Sequence, residues 1–372
     1  MIRETGTVLV FLAPLLAAFL LGGAGWYFST MLLRPIRVIA YPERVLAVDE
    51  GEVALAPSHW AGQPGTWALR WTTGKSLLGP VRTANGTEVR RPVTGNPAPP
   101  PGTAVAVDAG PYDHPAELGL DAEEVTVPTP LGGCPAWLVP APGSTWVVAV
   151  HGRGVDRREC LRALPTLHRL GHPVLIITYR NDDGAPVSPD GYYHLGDTEW
   201  RDLDAAAGYA LGHGATDLVL YGWSMGAAIT SAFLDRAAPE RTAPVRSLVW
   251  DSPLLDWRAT LRHQAGLRRL PRGSTELAAL ITRYRIGIDF DRFDLVSRPP
   301  RVRPPTLLMH GAADGTVPVA SARALNAAAP GLGWPLRYVE VPDAEHTAVW
   351  NVDPERYAAL LTEFLTEPAR SR

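Results

Sequence analysis

From about residue 122 onward, short apolar runs alternate with helical patterns. "EEVTVP" and "CPAWLVP" read as a hairpin pair. Then follow "TWVVAVHG", "HPVLIITYR", "DLVLYG", "RSLVWDSP", "PTLLMHG" and "LRYVEVP", most of them separated by helical stretches such as "DTEWRDLDAAAGYALGHG". A strand buried on both faces is apolar throughout rather than alternating. The pattern therefore predicts an α/β fold, with a mostly parallel sheet covered by helices on both faces. In such sheets chemistry collects at the carboxyl ends of the strands.

The first third of the chain has a different rhythm. "RVLAVDEGEVALAP", "GTWALRW" and "GTAVAVDAG" are β-prone runs cut by Gly and Pro, and "NPAPPPG" is a proline-rich connection at 96–102. Residues 36–121 are expected to form a small β-rich region that packs on the main domain or spaces it from a bilayer. Before it, residues 5–33 carry no charged side chain, and Val8–Phe28 is almost wholly apolar. That run is long enough to span a bilayer. The expectation is a retained single-pass membrane anchor over residues 1–35, with Gly22–Gly25 leaving a cleaved signal open and a buried helix as the remaining alternative. Arg34, Arg37 and Arg44 outnumber Arg3 across the run, which leans the large domain toward the cytoplasm.

Composition narrows the partners. The 372 residues, 46% of them hydrophobic, suffice for one large core or two domains. A net charge of −3 gives no bias toward nucleic acid. Cys134 and Cys160 are too few for a disulfide framework and lack metal-ligand spacing. No metalloprotease motif, P-loop or dinucleotide fingerprint occurs, so neither a metal nor an organic cofactor is expected.

The residues after the apolar runs carry the chemistry. Gly222-Trp223-Ser224-Met225-Gly226 lies between a predicted strand and a predicted helix. A serine held on such a sharp turn is clear of the backbone, and glycines two before and two after it relieve the crowding; this is the pattern of a nucleophile elbow. Asp314 follows the run "LLMHG" and His346 follows "VEVP". The order Ser, Asp, His suits a base that takes the serine proton and an acid that fixes its tautomer. The rival acid is Asp251, whose plainer reading is a cap on the next helix. Two oxyanion donors are expected: the backbone N–H of Met225, and that of Arg153 in the glycine-rich stretch His151-Gly152-Arg153-Gly154. His151 itself reads as a satisfied core histidine.

Together "VVAVHGRG", "GWSMG", "MHGAADGTVP" and "DAEH" resemble the α/β-hydrolase superfamily, over residues 122–367. Residues 179–211 are similar to the Bem46-like, acyl-protein-thioesterase-like branch. The resemblance implies an eight-stranded sheet and a triad of Ser224, Asp314 and His346. It leaves out residues 1–121.

Residues 254–304 form an insertion where such enzymes carry a cap over the nucleophile. It holds eleven arginines from Arg258 to Arg303 against Glu276, Asp289, Asp291 and Asp294. A face that admits an acidic substrate or rests on anionic lipid competes there with an ordinary solvated helix, and the latter is preferred. The expected domains are thus 1–35, 36–121 and 122–372. The expected function is hydrolysis of a carboxylic ester or thioester, from a small-molecule or lipid-like substrate, through an acyl-enzyme. A serine peptidase of the same fold and a non-catalytic binding module are the alternatives.

Overall fold

The computed structural model describes residues 21–35, 40–271 and 273–367. Its amino-terminal strands are β1 (Glu43–Asp49), β2 (Glu52–Leu55), β3 (Trp67–Trp71), β4 (Gly74–Leu78), β5 (Thr83–Ala84), β6 (Val89–Thr94) and β7 (Ala104–Asp108). They pair antiparallel in the order β2-β1-β7-β3-β4-β6-β5, and β2 also pairs with β6. That last pairing closes the sheet into a barrel, which removes the exposed edges an open sheet would carry. Val45, Val53, Leu55, Trp67, Leu69 and Leu78 fill it. Arg91 is also fully buried there and donates to the carbonyls of Gly79, Ala61 and Gly65. The expected β-rich region is therefore a closed barrel. Its interior includes Ala348, contributed by the other domain.

The main sheet comprises β8 (Glu123–Thr129), β9 (Gly132–Val139), β10 (Thr145–Val150), β11 (Val174–Ile177), β12 (Asp217–Trp223), β13 (Val245–Asp251), β14 (Thr306–Gly311) and β15 (Leu336–Val341). Its order is β15-β14-β13-β12-β10-β11-β9-β8. The strands β10 to β15 run parallel, and the β8–β9 hairpin joins through an antiparallel β9–β11 pair. Side chains alternate between two cores. Val148, Val150, Leu218 and Leu220 face the helices Trp200–Gly212 and Met225–Arg236, while Val147, Ala149, Val219 and Tyr221 face Leu164–Arg169 and Pro354–Thr366. The chain leaves β10 toward one edge and β12 toward the other, so a crevice opens at the carboxyl ends of these two strands.

Two helices, Trp257–Leu267 and Ser274–Ile286, make up most of the expected cap. Residues 21–33 are helical and lie against the second of them. A Cβ on Gly25 would come 2.7 Å from Ile281 Cδ1, and Thr282 Oγ1 donates to Ser29 Oγ at 3.0 Å. Arg285 donates to the hydroxyls of Ser29 and Thr30. Small and hydroxyl-bearing residues at four-residue spacing thus form the packed face, while Trp26, Tyr27 and Met31 are exposed. Residues 8–20 of the expected membrane span lie outside the described residues. No helix among the described residues is long and apolar enough to cross a membrane.

Candidate active site

Ser224 links β12 to the helix Met225–Arg236 with φ 50° and ψ −115°. A positive φ strains any residue with a Cβ, and it is held here by its surroundings. The flanking glycines make the turn possible. A Cβ on Gly226 would lie 2.1 Å from the carbonyl oxygen of Val150, and one on Gly222 would lie 2.7 Å from the carbonyl carbon of Gly226. Without side chains at these positions, the helix start presses directly onto β10.

The loops after β14 and β15 bring two more side chains to this point. His346 Nε2 is 2.8 Å from Ser224 Oγ, and His346 Nδ1 is 2.7 Å from Asp314 Oδ2. Asp314 Oδ1 accepts the N–H groups of Thr316 and Val317. Burial opposes its charge, but His346 and a second imidazole, His310 at 3.1 Å, hold the Asp314 carboxyl well below the usual range. An ionised carboxylate only accepts, so Nδ1 of His346 donates to it. In the neutral ring Nε2 is then the free lone pair facing Ser224. Burial pulls the His346 pKa down, yet the Asp314 charge raises it above the ordinary histidine value.

The two amides expected as oxyanion donors differ from the one beside them. Met225 N–H and Arg153 N–H make no hydrogen bond to another described residue, whereas Gly152 N–H is taken by Glu159 Oε2 at 2.7 Å. A Cβ on Gly152 would stand 3.0 Å from Ser224 Cβ, so this loop lies directly on the serine. The Arg153 side chain turns away, donating to the carbonyls of Leu32 at 2.9 Å and Met31 at 2.6 Å. It thereby caps the carboxyl end of the amino-terminal helix, where a cation is favoured. His151 is fully buried and bonded to Asp182, as expected of a core histidine.

Asp251 corrects one expectation. It caps no helix: its carboxylate accepts from Ser252 Oγ and Tyr357 Oη beneath the sheet end, and the next helix is capped by Asp256, which accepts from Ala259 N–H. Its place at a strand end before a helix suggested a cap, but the hydroxyls of adjacent Ser252 and distant Tyr357 claim it first.

Several groups had no sequence signature. Glu345 accepts the Gly315 N–H at 3.0 Å and pairs with His59 of the barrel. Glu159 takes the N–H of Gly152, seven positions before it, and His310 lies against Asp314, four positions after it. A cavity of about 450 Å³ lies between the barrel and the main domain, lined among others by Arg70, Asp108, Glu159, Arg162, Asp183 and Thr347. Among the described residues no group of three or more His, Cys, Asp or Glu is placed to hold a metal ion.

Comparison with known proteins agrees with this architecture. The family model described as the prolyl oligopeptidase family matches residues 165–371, more than half of the chain. A model described as a domain of unknown function matches residues 44–108, which are the barrel. A search of curated proteins returns no match. Among solved structures, the esterase Pf2001 of Pyrococcus furiosus is similar, at 20% identity and a TM-score of 0.54, covering 70% of this chain and 97% of that one. Two further crystal forms of that esterase align with TM-scores of 0.54 and 0.53, at 19% and 20% identity, covering 70% of this chain and 95% of theirs. At these identities the likeness establishes the fold. None of these comparisons names the Bem46-like branch. On the family match and the fold together, the chain belongs to the prolyl oligopeptidase family and is an α/β-hydrolase enzyme.

Proposed function

We propose that the protein cleaves a carboxylic ester or thioester through an acyl-enzyme on Ser224. The observation that carries this reading is the continuous chain of hydrogen bonds from Ser224 Oγ through His346 to Asp314, on a strained turn. His346 Nε2 takes the serine proton as Oγ attacks the carbonyl carbon, and the carbonyl oxygen gains the negative charge. The N–H groups of Met225 and Arg153 receive that charge. As the tetrahedral adduct collapses, His346 returns the proton to the leaving alcohol or thiol. Water then repeats the sequence on the acyl group and frees the acid. Asp314 keeps the imidazole in the required tautomer and stabilises its protonated form.

The test is active-site labelling. A fluorophosphonate should modify the protein at Ser224, located by mass spectrometry, and should leave Ser224→Ala unmodified. Labelling elsewhere, or equal labelling of the variant, would remove the serine from its role.

A serine peptidase of the same fold is the second reading. It is favoured by the name of the matching family and by the cavity lined by Thr347, the residue after His346, where Asp183 makes no hydrogen bond or ion pair with another described residue. Such a carboxylate suits a peptide amine. Rates on aryl esters and on peptide anilides, compared in one preparation, separate the two readings.

We further propose that the amino-terminal run anchors the enzyme in a membrane with its catalytic domain toward the cytoplasm. The uncharged, largely apolar residues ahead of the helix 21–33 and the arginines after it support this. Retention in the membrane fraction after an alkaline carbonate wash is expected; release into the supernatant would count against an anchor.

A further inference from the structure

The peptide group joining Gly152 to Arg153 is unusually well held on one side. Its carbonyl oxygen accepts from Tyr179 Oη at 2.8 Å and from His151 Nδ1 at 2.8 Å. The two donors support each other: the rings stack at 4.4 Å and 19°. They are anchored in turn by Asp182, whose Oδ2 lies 2.8 Å from His151 Nε2 and accepts the Tyr179 N–H at 2.8 Å. One carboxylate oxygen thus fixes both the ring that donates and the backbone of the residue that supplies the other donor. Full burial disfavours a charged imidazole, but Asp182 raises the His151 pKa to about 9, so both ring nitrogens carry protons at neutral pH. That is the state in which Nδ1 can donate to the Gly152 carbonyl while Nε2 donates to Asp182.

A trans peptide is planar, and its C=O and N–H point in opposite directions. Fixing the Gly152 oxygen on the Tyr179 side therefore directs the Arg153 N–H to the other side, in a loop that rests on Ser224. The preceding peptide is fixed as well, since Gly152 N–H is bound by Glu159. Hydrogen bonds accepted at a peptide oxygen also polarise the group and make its N–H a stronger donor. We infer that Tyr179 and His151 are positioning residues, which aim and strengthen the Arg153 N–H as a donor to the tetrahedral oxygen on Ser224. This rests on the acyl-enzyme reading above. Neither side chain touches the reacting atoms; both act through one backbone amide. The same arrangement explains an outlay of buried polar groups that packing alone does not require. His151, Tyr179 and Asp182 are all buried, and among the described residues their side-chain hydrogen bonds run to one another and to this loop.

The test uses the full-length protein and Tyr179→Phe, which keeps the stacked ring and deletes one hydroxyl. Turnover of p-nitrophenyl acetate is normalised to active sites counted by fluorophosphonate labelling. Affinity for phenylboronic acid, which forms a tetrahedral adduct on an activated serine, is measured beside it. The expected result is a kcat lower by about tenfold, a KM within about twofold, and boronate affinity weaker by about the same factor as kcat. A merely structural role would lower the melting temperature or the count of active sites and leave turnover per site and boronate affinity unchanged. That outcome would overturn the inference. If the wild-type protein neither labels at Ser224 nor turns over the ester, the hydrolase reading fails and takes this inference with it.

Discussion

His59 of the barrel lies 2.7 Å from Glu345, the residue that precedes His346. The other oxygen of the same carboxylate accepts the N–H of Gly315, which follows Asp314. One buried side chain therefore clamps the two loops that carry His346 and Asp314, and the barrel holds that clamp from outside. Glu345→Ala is expected to lower kcat by about ten- to hundredfold through misplaced geometry, with KM little changed. His59→Ala removes a partner whose side chain is 60% exposed and should cost about 1 kcal/mol or less. Steady-state kinetics and thermal melts of the two variants check this; equal activity of Glu345→Ala and wild type would refute the clamp.

Asp314→Asn should preserve the fold and lower kcat by about 10⁴-fold, because an amide can stabilise the wrong imidazole tautomer. The measurement is ester turnover per labelled site, beside a circular dichroism spectrum that matches wild type.

The pH profile follows from His346. It must be neutral to accept the Ser224 proton, and Asp314 raises its pKa above the ordinary 6.5. The acid limb of kcat/KM is therefore expected to have its midpoint above pH 6.5, with activity rising toward alkaline pH. A midpoint below 6.5 would mean that burial outweighs the carboxylate.

Stability should run the other way with pH through His151. Its folded pKa is raised from 6.5 to about 9. The folded protein therefore holds a proton that the unfolded chain releases. This contribution is complete below pH 6.5 and is lost as pH rises through about 9. Urea midpoints taken from pH 6.5 to 9.5 should fall, and His151→Gln should flatten that slope.

Gly226→Ala places a methyl group 2.1 Å from a strand carbonyl that cannot yield. A loss of at least about 3 kcal/mol is expected, far above the ordinary Gly-to-Ala effect in a helix. Chemical denaturation measures it; a variant as stable as wild type would show that the elbow can open.

The main sheet was legible because its strands are apolar on both faces. Every run quoted for it, from "EEVTVP" to "LRYVEVP", overlaps one of the strands β8 to β15. The positions of Ser224, Asp314 and His346 were legible for a related reason: strand ends are where such sheets place chemistry. The barrel was only partly so. β6 reads "VRRPVT", with two arginines and a proline, and its buried Arg91 is satisfied by three carbonyls that are neighbours only after closure. Glu345 and Tyr179 escaped for the same reason. Their partners are backbone groups and histidines brought near by the fold, and no local spacing announces them. Asp251 shows the converse, a local pattern overruled by Tyr357 from 106 residues away.

The seam between the two domains has a consequence for how the chain is made. Ala348 completes the barrel interior, and Asn351 bonds to the barrel backbone at Thr66 and Ala109. Gly65 has no side chain where the Asn351 carbonyl approaches. On the ribosome, all seven barrel strands emerge long before these residues exist. The barrel thus waits for its final contacts on residues that follow the whole main sheet in sequence, and the nascent chain must keep an unfinished barrel from pairing with its neighbours until the residues after β15 have been translated.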